Sequence, residues 1–319
     1  MSKTPHFPLA TDITLAHQNI SAYIHRTPIL SSAFFNAQCD ASLFFKCENF
    51  QKAGAFKSRG AINAVLSLSQ NELEAGVATH SSGNHAQALA RAAKILGTKA
   101  YIVMPRTAPA IKVAAVKAYG GEVYFCEPNQ EARETKLAEV VAKTGATFIH
   151  PYNDYRIITG QATACKEILE EIDCPDYIFC PVGGGGLLSG TALSAAYWSP
   201  KTKVIGCEPQ GADDAFRSFQ SKKLIPMIKP DTVADGLLTS LGSLTFPIIQ
   251  ENVHAIFCVN DTQILEAMRL VWERMKIIIE PSAAVPLAVA LSGQVNLKNK
   301  KAVIIFSGGN VDLNNLLWA

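Results

Sequence analysis

Short apolar runs and longer segments of helical period take turns along this chain. The runs LFFKCE, GVATHSS, AYIVMP, EVYFCE, TFIHP, YIFCPVG, KVIGCEP, AIFCVN and AVIIFSGG are too short for helices and predict strands. Between them, NHAQALARAAKILG and APAIKVAAVKAYG predict helices, each closed by a glycine of the kind that caps a helix C-terminus. Strands that are apolar throughout and alternate with helices predict parallel sheets covered on both faces. No repeat, low-complexity tract or Gly/Ser linker interrupts the pattern.

Composition narrows the class. A length of 319 residues suits two domains, and 48% hydrophobic against 18% charged residues provides for a large core rather than long disorder. The net charge of +2, with no Lys/Arg run interleaved with aromatics, gives no case for nucleic acid or a membrane surface. The start, MSKTPHFPLATDITL, lacks the basic-then-apolar order of a secretory signal. No apolar run approaches the roughly 18 residues needed to span a bilayer. The eight cysteines show no CxxC spacing and several lie inside apolar runs, which predicts reduced thiols in a cytoplasmic protein rather than disulfides or zinc ligands.

Ligands of open parallel sheets bind beyond the carboxyl ends of the strands. Four strand ends here are polar or glycine-rich: THSSGNH, CPVGGGGLLSG, GCEPQGADD and IIFSGGN. Gly183, Gly184, Gly185 and Gly186 follow one strand and open a helix. Such a turn offers free N–H groups and a partial positive charge to a phosphate; a tight strand-to-helix turn is the simpler use of glycine. The dinucleotide fingerprint GxGxxG fails, because Leu188 or Ser189 stands where its third glycine belongs, although Glu208 lies at a ribose-binding distance. No Walker loop occurs either. A phosphate turn without a nucleotide motif points to a smaller phosphorylated cofactor. Pyridoxal phosphate needs an imine-forming lysine, a phosphate turn and a partner for its ring nitrogen. Lys57, set among small and apolar residues in NFQKAGAFKSRG, is a candidate because apolar surroundings lower a lysine pKa.

The blocks FQKAGAFKSRGA, SSGNHAQALA, PVGGGGLLSG, EPSAAV and SGGNVDL, in this order, resemble the fold-type II pyridoxal-phosphate enzymes. Within these the chain is most similar to the serine racemases and short serine/threonine dehydratases, from about residue 8 to the end. The resemblance implies an α/β protein of two domains, each an open, mostly parallel twisted sheet flanked by helices. It places the cofactor in the cleft between residues 1–52 plus 148–319, the large domain, and 53–147, a small mobile domain. It implies that Lys57 carries the cofactor, Phe56 packs on its ring and Asn84 bonds the ring hydroxyl. By the same resemblance Gly183 to Gly186 with Leu187 hold the phosphate and Ser307 meets the ring nitrogen. A hydroxyl there leaves the nitrogen largely neutral and favours prompt β-elimination over long-lived carbanions. Read without the other blocks, Ser307 is a turn serine.

On the substrate side the resemblance implies that Ser81, Ser82, Asn84 and His85 surround the carboxylate, with Arg133 and Ser240 as further contacts. Arg133 also fits the exposed face of a helix. Elimination needs one base, Lys57; racemisation needs a second on the opposite face. Ser82 occupies the position that carries Ser in the racemases and Ala in many dedicated threonine dehydratases. Ser82 also fits a simple carboxylate donor or helix cap. Glu208, the Ala212 carbonyl and Asp214 match a site for Mg²⁺ (or Ca²⁺ or Mn²⁺), while helix capping and ion pairing are their ordinary uses. The expected activity is serine racemisation with L-serine or L-threonine dehydration. The alternatives are a dedicated L-threonine or threo-3-hydroxyaspartate dehydratase, a cofactor-binding protein without turnover, and a nicotinamide oxidoreductase. A homodimer is implied by family, as is ATP as an effector in some relatives.

Overall fold

All nine apolar runs become strands, and a tenth joins them. The structure, a computed structural model, describes residues 7–108 and 110–313. The strands are β1 (Ile29–Ser31), β2 (Ser42–Cys47), β3 (Val77–His80), β4 (Ala100–Pro105), β5 (Glu122–Cys126), β6 (Thr147–Phe148), β7 (Tyr177–Pro181), β8 (Lys203–Pro209), β9 (Ala255–Val259) and β10 (Lys301–Phe306). They form a six-stranded sheet ordered β1-β2-β10-β7-β8-β9 and a four-stranded sheet ordered β5-β4-β3-β6. Every pairing is parallel except β1 with β2. The class is therefore α/β with two sheets, as the alternation predicts.

Burial explains the composition of these strands. In β10 and β7, Val303 pairs with Ile178 and Ile304 with Phe179, and all four are fully buried. Helices cover both faces, so neither face offers a place for polar side chains. The main core lies between the large sheet and the helices Asp261–Met275 and Pro281–Leu291. A separate core joins β3 and β4 to the helices Lys57–Leu66 and Asn84–Ile95. The two predicted helices end as expected, with Gly97 at φ +69° and Gly120 at φ +82° two residues beyond their last turns.

The small sheet is drawn from residues 77–148 and the large one from 29–47 and 177–306. A division at 53–147 against 1–52 plus 148–319 stays our proposal, with residues 1–6 and 314–319 outside the described part. Among the described residues no helix is long and apolar enough to cross a membrane.

Candidate active site

A cavity of about 1080 Å³ opens between the two sheets. Its lining includes Phe56, Lys57, Ser81, Ser82, Asn84, His85, Arg133, the glycines Gly183 to Gly186, Leu187 and Ser307, which come from every corner of the sequence. Parallel strands bring them together, because each strand of a sheet ends at the same edge.

Lys57 is the first residue of the helix Lys57–Leu66. The stretch before it is stitched to the turn after β10: Phe56 N–H donates to Ser307 O at 3.0 Å and Gly309 N–H donates to Gly54 O at 2.9 Å. Gly54 lies at φ +70°, and a Cβ there would run into the Asn310 side chain. This close approach of two backbones is why the loop is small-residued. The cavity reaches Lys57, so the residue as a whole is half-buried. Its amine nevertheless lies deep enough that lost solvation brings its pKa down to about 8. The amine donates to Pro151 O at 2.9 Å and stands 5.1 Å from the centroid of the Phe56 ring.

The glycine turn follows β7 and opens the helix Gly186–Trp198. Gly185 adopts φ +89°, and a Cβ would lie 2.8 Å from Thr245 Oγ1 and 2.9 Å from Leu241 Cδ2. A Cβ on Gly184 would enter the Tyr152 ring. The Gly184 carbonyl accepts from Thr245 Oγ1 at 2.8 Å, which anchors the turn, and the first N–H groups of a helix have no partner within it. Leu187 is buried behind the turn, and Ser307 is buried at the end of β10.

Ser81, Ser82 and Gly83 link β3 to the helix Asn84–Ile95. Ser81 N–H donates to Val103 O at 3.1 Å, which ties the loop to β4. Among the described residues the Ser82 hydroxyl has no hydrogen-bond partner, and it faces the same cavity as the lysine. His85 is buried and its pKa is held well below the usual histidine value, chiefly by burial and then by Lys57. Its Nε2 lies 3.3 Å from Ile149 O while Nδ1 has no partner. With the proton on Nε2, the free nitrogen is an acceptor. The donors available to a carboxylate are then the serine hydroxyls, the Asn84 amide and the helix N–H groups, rather than the imidazole.

Arg133 lines the cavity from the helix Gln130–Thr144, with its Nε buried and unpaired. It is thus not simply on an exposed face. Ser240 is a different matter. Its hydroxyl accepts from Met227 N–H at 2.7 Å, and Thr239 lines the cavity in its place. Ser240 itself is not among the residues that line the cavity.

Glu208, at the end of β8, accepts from Ala215 N–H at 2.9 Å and Phe216 N–H at 2.8 Å, so it caps the helix Asp214–Ser221. Asp214 accepts from Leu241 N–H at 3.0 Å with one oxygen, and its other oxygen is buried without a partner. Burial raises both carboxyls, Asp214 to about 6 and Glu208 well above the carboxylate range. Nearby negative charge adds to this, from Asp214 and Asp213 on Glu208 and from Asp213 on Asp214. Among the described residues no three His, Cys, Asp or Glu side chains cluster as a metal site.

Sequence reasoning missed several groups. Glu280 and Asn310 stand inside two of the quoted blocks and both bond Asn84. His80 and His150 also line the cavity. Burial lowers both histidines, His150 to about 4, and His150 Nδ1 accepts from Asn153 N–H at 2.9 Å. Neither their spacing nor their neighbours mark them in the sequence.

The family described as pyridoxal-phosphate dependent enzyme matches residues 20–308. The chain is 47% identical over 313 residues to the beta-hydroxyaspartate dehydratase of Paracoccus denitrificans (strain Pd 1222), covering 98% of this chain and 99% of that one. It is 48% identical over 317 residues to the serine racemase of Dictyostelium discoideum, covering 97% and 98%. Among solved structures, maize serine racemase matches with a TM-score of 0.95 at 44% identity, covering 98% of this chain and 96% of that one.

Proposed function

This chain belongs to the pyridoxal-phosphate dependent enzymes, and from that premise we propose that it dehydrates L-serine or L-threonine to an oxo acid and interconverts the serine enantiomers. Racemase or dehydratase chemistry on a small amino acid is common ground with its relatives; the choice of substrate and the pairing of activities are our inference. The residues present fit the cofactor. A buried amine of depressed pKa shares one cavity with a glycine turn at a helix N-terminus, which a Cβ would fill. That combination carries the proposal.

When bound, pyridoxal phosphate supplies the electron sink that makes an amino-acid α-proton removable. In our proposal the Gly183 to Gly186 N–H groups and Leu187 hold its phosphate, Phe56 packs on its ring, and Ser307 meets its ring nitrogen. Ser81, Ser82, Asn84 and the N–H groups at the start of the helix Asn84–Ile95 hold the substrate carboxylate. Lys57 Nζ takes the α-proton on one face, for which a pKa of about 8 suits it near neutral pH. The Ser82 Oγ is assigned the proton on the other face. The test is a panel of L- and D-hydroxyamino acids scored for both oxo acid and inverted amino acid. Production of neither from any of them would reject the proposal.

One observation favours a second substrate. The Arg133 guanidinium lines the cavity with its Nε unpaired, so a 3-hydroxyaspartate side-chain carboxylate would find a cation there. The Paracoccus relative carries that substrate in its name. Preference for 3-hydroxyaspartate that collapses in Arg133→Met would select this reading.

We further assign Glu208, the Ala212 carbonyl and Asp214 to a divalent cation, Mg²⁺ or its oxygen-seeking alternatives Ca²⁺ and Mn²⁺. The buried Asp214 oxygen without a partner, close in sequence to a second buried carboxyl, supports this. The ion would steady the loop behind the glycine turn, since Asp214 bonds Leu241 and Leu241 packs beside Gly185. EDTA should lower the melting temperature and Mg²⁺ restore it; an unchanged melting curve removes the ion from the site.

A further inference from the structure

Asn84 is held by two side chains to which no role has been given. Asn310 Nδ2 donates to Ala53 O at 2.8 Å and to Asn84 Oδ1 at 2.9 Å, so both of its amide hydrogens are used. Asn84 Nδ2 donates to Glu280 Oε1 at 2.8 Å. Glu280 Oε2 accepts from Asn310 N–H at 3.1 Å, and Glu280 N–H donates to Gly308 O at 3.0 Å. Gly308 must be glycine for this carboxyl to fit, because a Cβ would stand 2.5 Å from Glu280 Oε1. Glu280 is buried, with only 4% of its surface exposed, and it lines the cavity beside Asn84.

The chain of bonds has a direction. A backbone carbonyl only accepts, so Ala53 fixes which end of the Asn310 amide faces it. That orientation makes Asn310 a donor to Asn84, which fixes the Asn84 oxygen on the Asn310 side. The Asn84 nitrogen must then face Glu280, and its second hydrogen is left over for the cavity. An asparagine free to turn over could offer either a carbonyl or an N–H. This one can offer only N–H.

We infer that Glu280 and Asn310 are positioning residues that lock Asn84 as a hydrogen-bond donor toward the ring oxygen of the cofactor. An acceptor there would repel an ionised ring oxygen; a fixed donor stabilises it without reorganisation. The inference rests on the placing of Asn84 against the cofactor ring, and it adds that the orientation of Asn84 is set from Ala53 through Asn310.

Two variants probe the lock in the full-length holoenzyme. Asn310→Asp cannot donate to Ala53 or to Asn84, and Glu280→Gln loses one of its two acceptor oxygens. We expect the cofactor dissociation constant to rise about tenfold or more in Asn310→Asp and about threefold or more in Glu280→Gln, the loss of one or two hydrogen bonds. The visible absorbance of the bound cofactor should shift in both. Both effects should disappear when the same changes are made in an Asn84→Ala background, because the lock acts only through Asn84. Equal penalties with and without Asn84, or unaltered affinity and spectrum in both variants, would overturn the inference. Loss of folding in both would do the same, by giving the two residues a purely structural role. An Asn84→Ala protein with normal affinity and spectrum would show instead that Asn84 does not meet the ring at all, and the inference would fall with that placement.

Discussion

Lys57 and Ser82 open onto one cavity, and the number of groups there that can handle a proton decides which reactions are open. A single base can take the α-proton and deliver it to the departing β-hydroxyl, which then leaves as water, and this serves elimination. Inversion needs a donor on the other face. Ser82→Ala should therefore abolish interconversion of L- and D-serine and leave most of the pyruvate formed from L-serine; chiral chromatography of a single reaction reads both. Persistence of inversion would assign the second face to another group. The amine itself carries a pH prediction. Only its neutral form is nucleophilic. Burial lowers its pKa from the ordinary 10.5 to about 8. The rate of cofactor uptake should then climb about tenfold per pH unit below that value and level off above it. Stopped-flow absorbance measures the rate, and a midpoint above about pH 10, the ordinary lysine range, would mean that the amine is solvated.

At the scale of elements, the glycine turn is where backbone shape and ligand chemistry coincide. Gly185→Ala puts a Cβ at φ +89° against Thr245, Ile249 and Leu241, so strain and crowding add. A cost of about 1–3 kcal/mol in folding is expected from the backbone alone. Cofactor affinity should fall with it, since the turn must shift to make room. Gly293→Ala is the control: it has φ +75° but nothing within 4 Å, so it should lose stability and keep its affinity. Urea titration and equilibrium dialysis separate the two effects. This turn was legible in the sequence because backbone geometry writes glycine at fixed positions. The strands of the sheet interiors were legible because burial on both faces writes continuous apolar runs. β1 was not: it has three residues, only two of them apolar, and exists by pairing Ile29 with Lys46 at a sheet edge. Glu280 and Asn310 were not legible as a unit either. Their contacts to Asn84 span 196 and 226 residues, and a long-range pair leaves no local period. The setting of Ser240 was hidden in the same way: its hydroxyl accepts from a loop N–H 13 residues away, which no local motif reveals.

Across the whole molecule, a buried charge network two residues beyond Lys57 ties its helix to β2 and to the helix Tyr155–Glu171. Arg59 Nε and Nη2 donate to the two oxygens of Glu48 at 2.8 Å, and its Nη1 and Nη2 donate to those of Glu167 at 2.7 and 2.8 Å. Lys46 donates to Glu167 Oε2 at 2.7 Å. All four side chains are essentially inaccessible to water. Lys46 belongs to β2, Glu48 follows it, Arg59 lies on the lysine's own helix, and Glu167 lies on the helix Tyr155–Glu171. The sequence hinted at this only by a lysine and a glutamate set in the otherwise apolar run LFFKCE. Two cations, Lys46 and Arg59, match the two carboxylates, and His17 Nε2 approaches Glu167 Oε1 at 3.3 Å from the edge of the cluster. Arg59→Met would leave two buried carboxylates facing one lysine, and breaking a buried pair in this way costs about 3–5 kcal/mol. The deficit has a definite pH dependence. Against the pull of burial, the hydrogen bonds of His17 and Arg59 and the charges of Arg59 and Lys46 hold the Glu167 carboxyl well below its ordinary value. Without Arg59 two of these four influences are lost and the pair of buried carboxyls faces one lysine, so we expect one of them to hold a proton at a folded-state pKa above that of the unfolded chain. The folded variant then binds more protons than its unfolded form over that window, and its stability falls as pH rises. The gap between variant and parent should therefore be wide near pH ~8 and narrow near pH ~5, on either side of a raised carboxyl pKa. Urea midpoints at the two pH values measure it, and a gap that stays constant would show that the carboxylates keep their charge without the arginine.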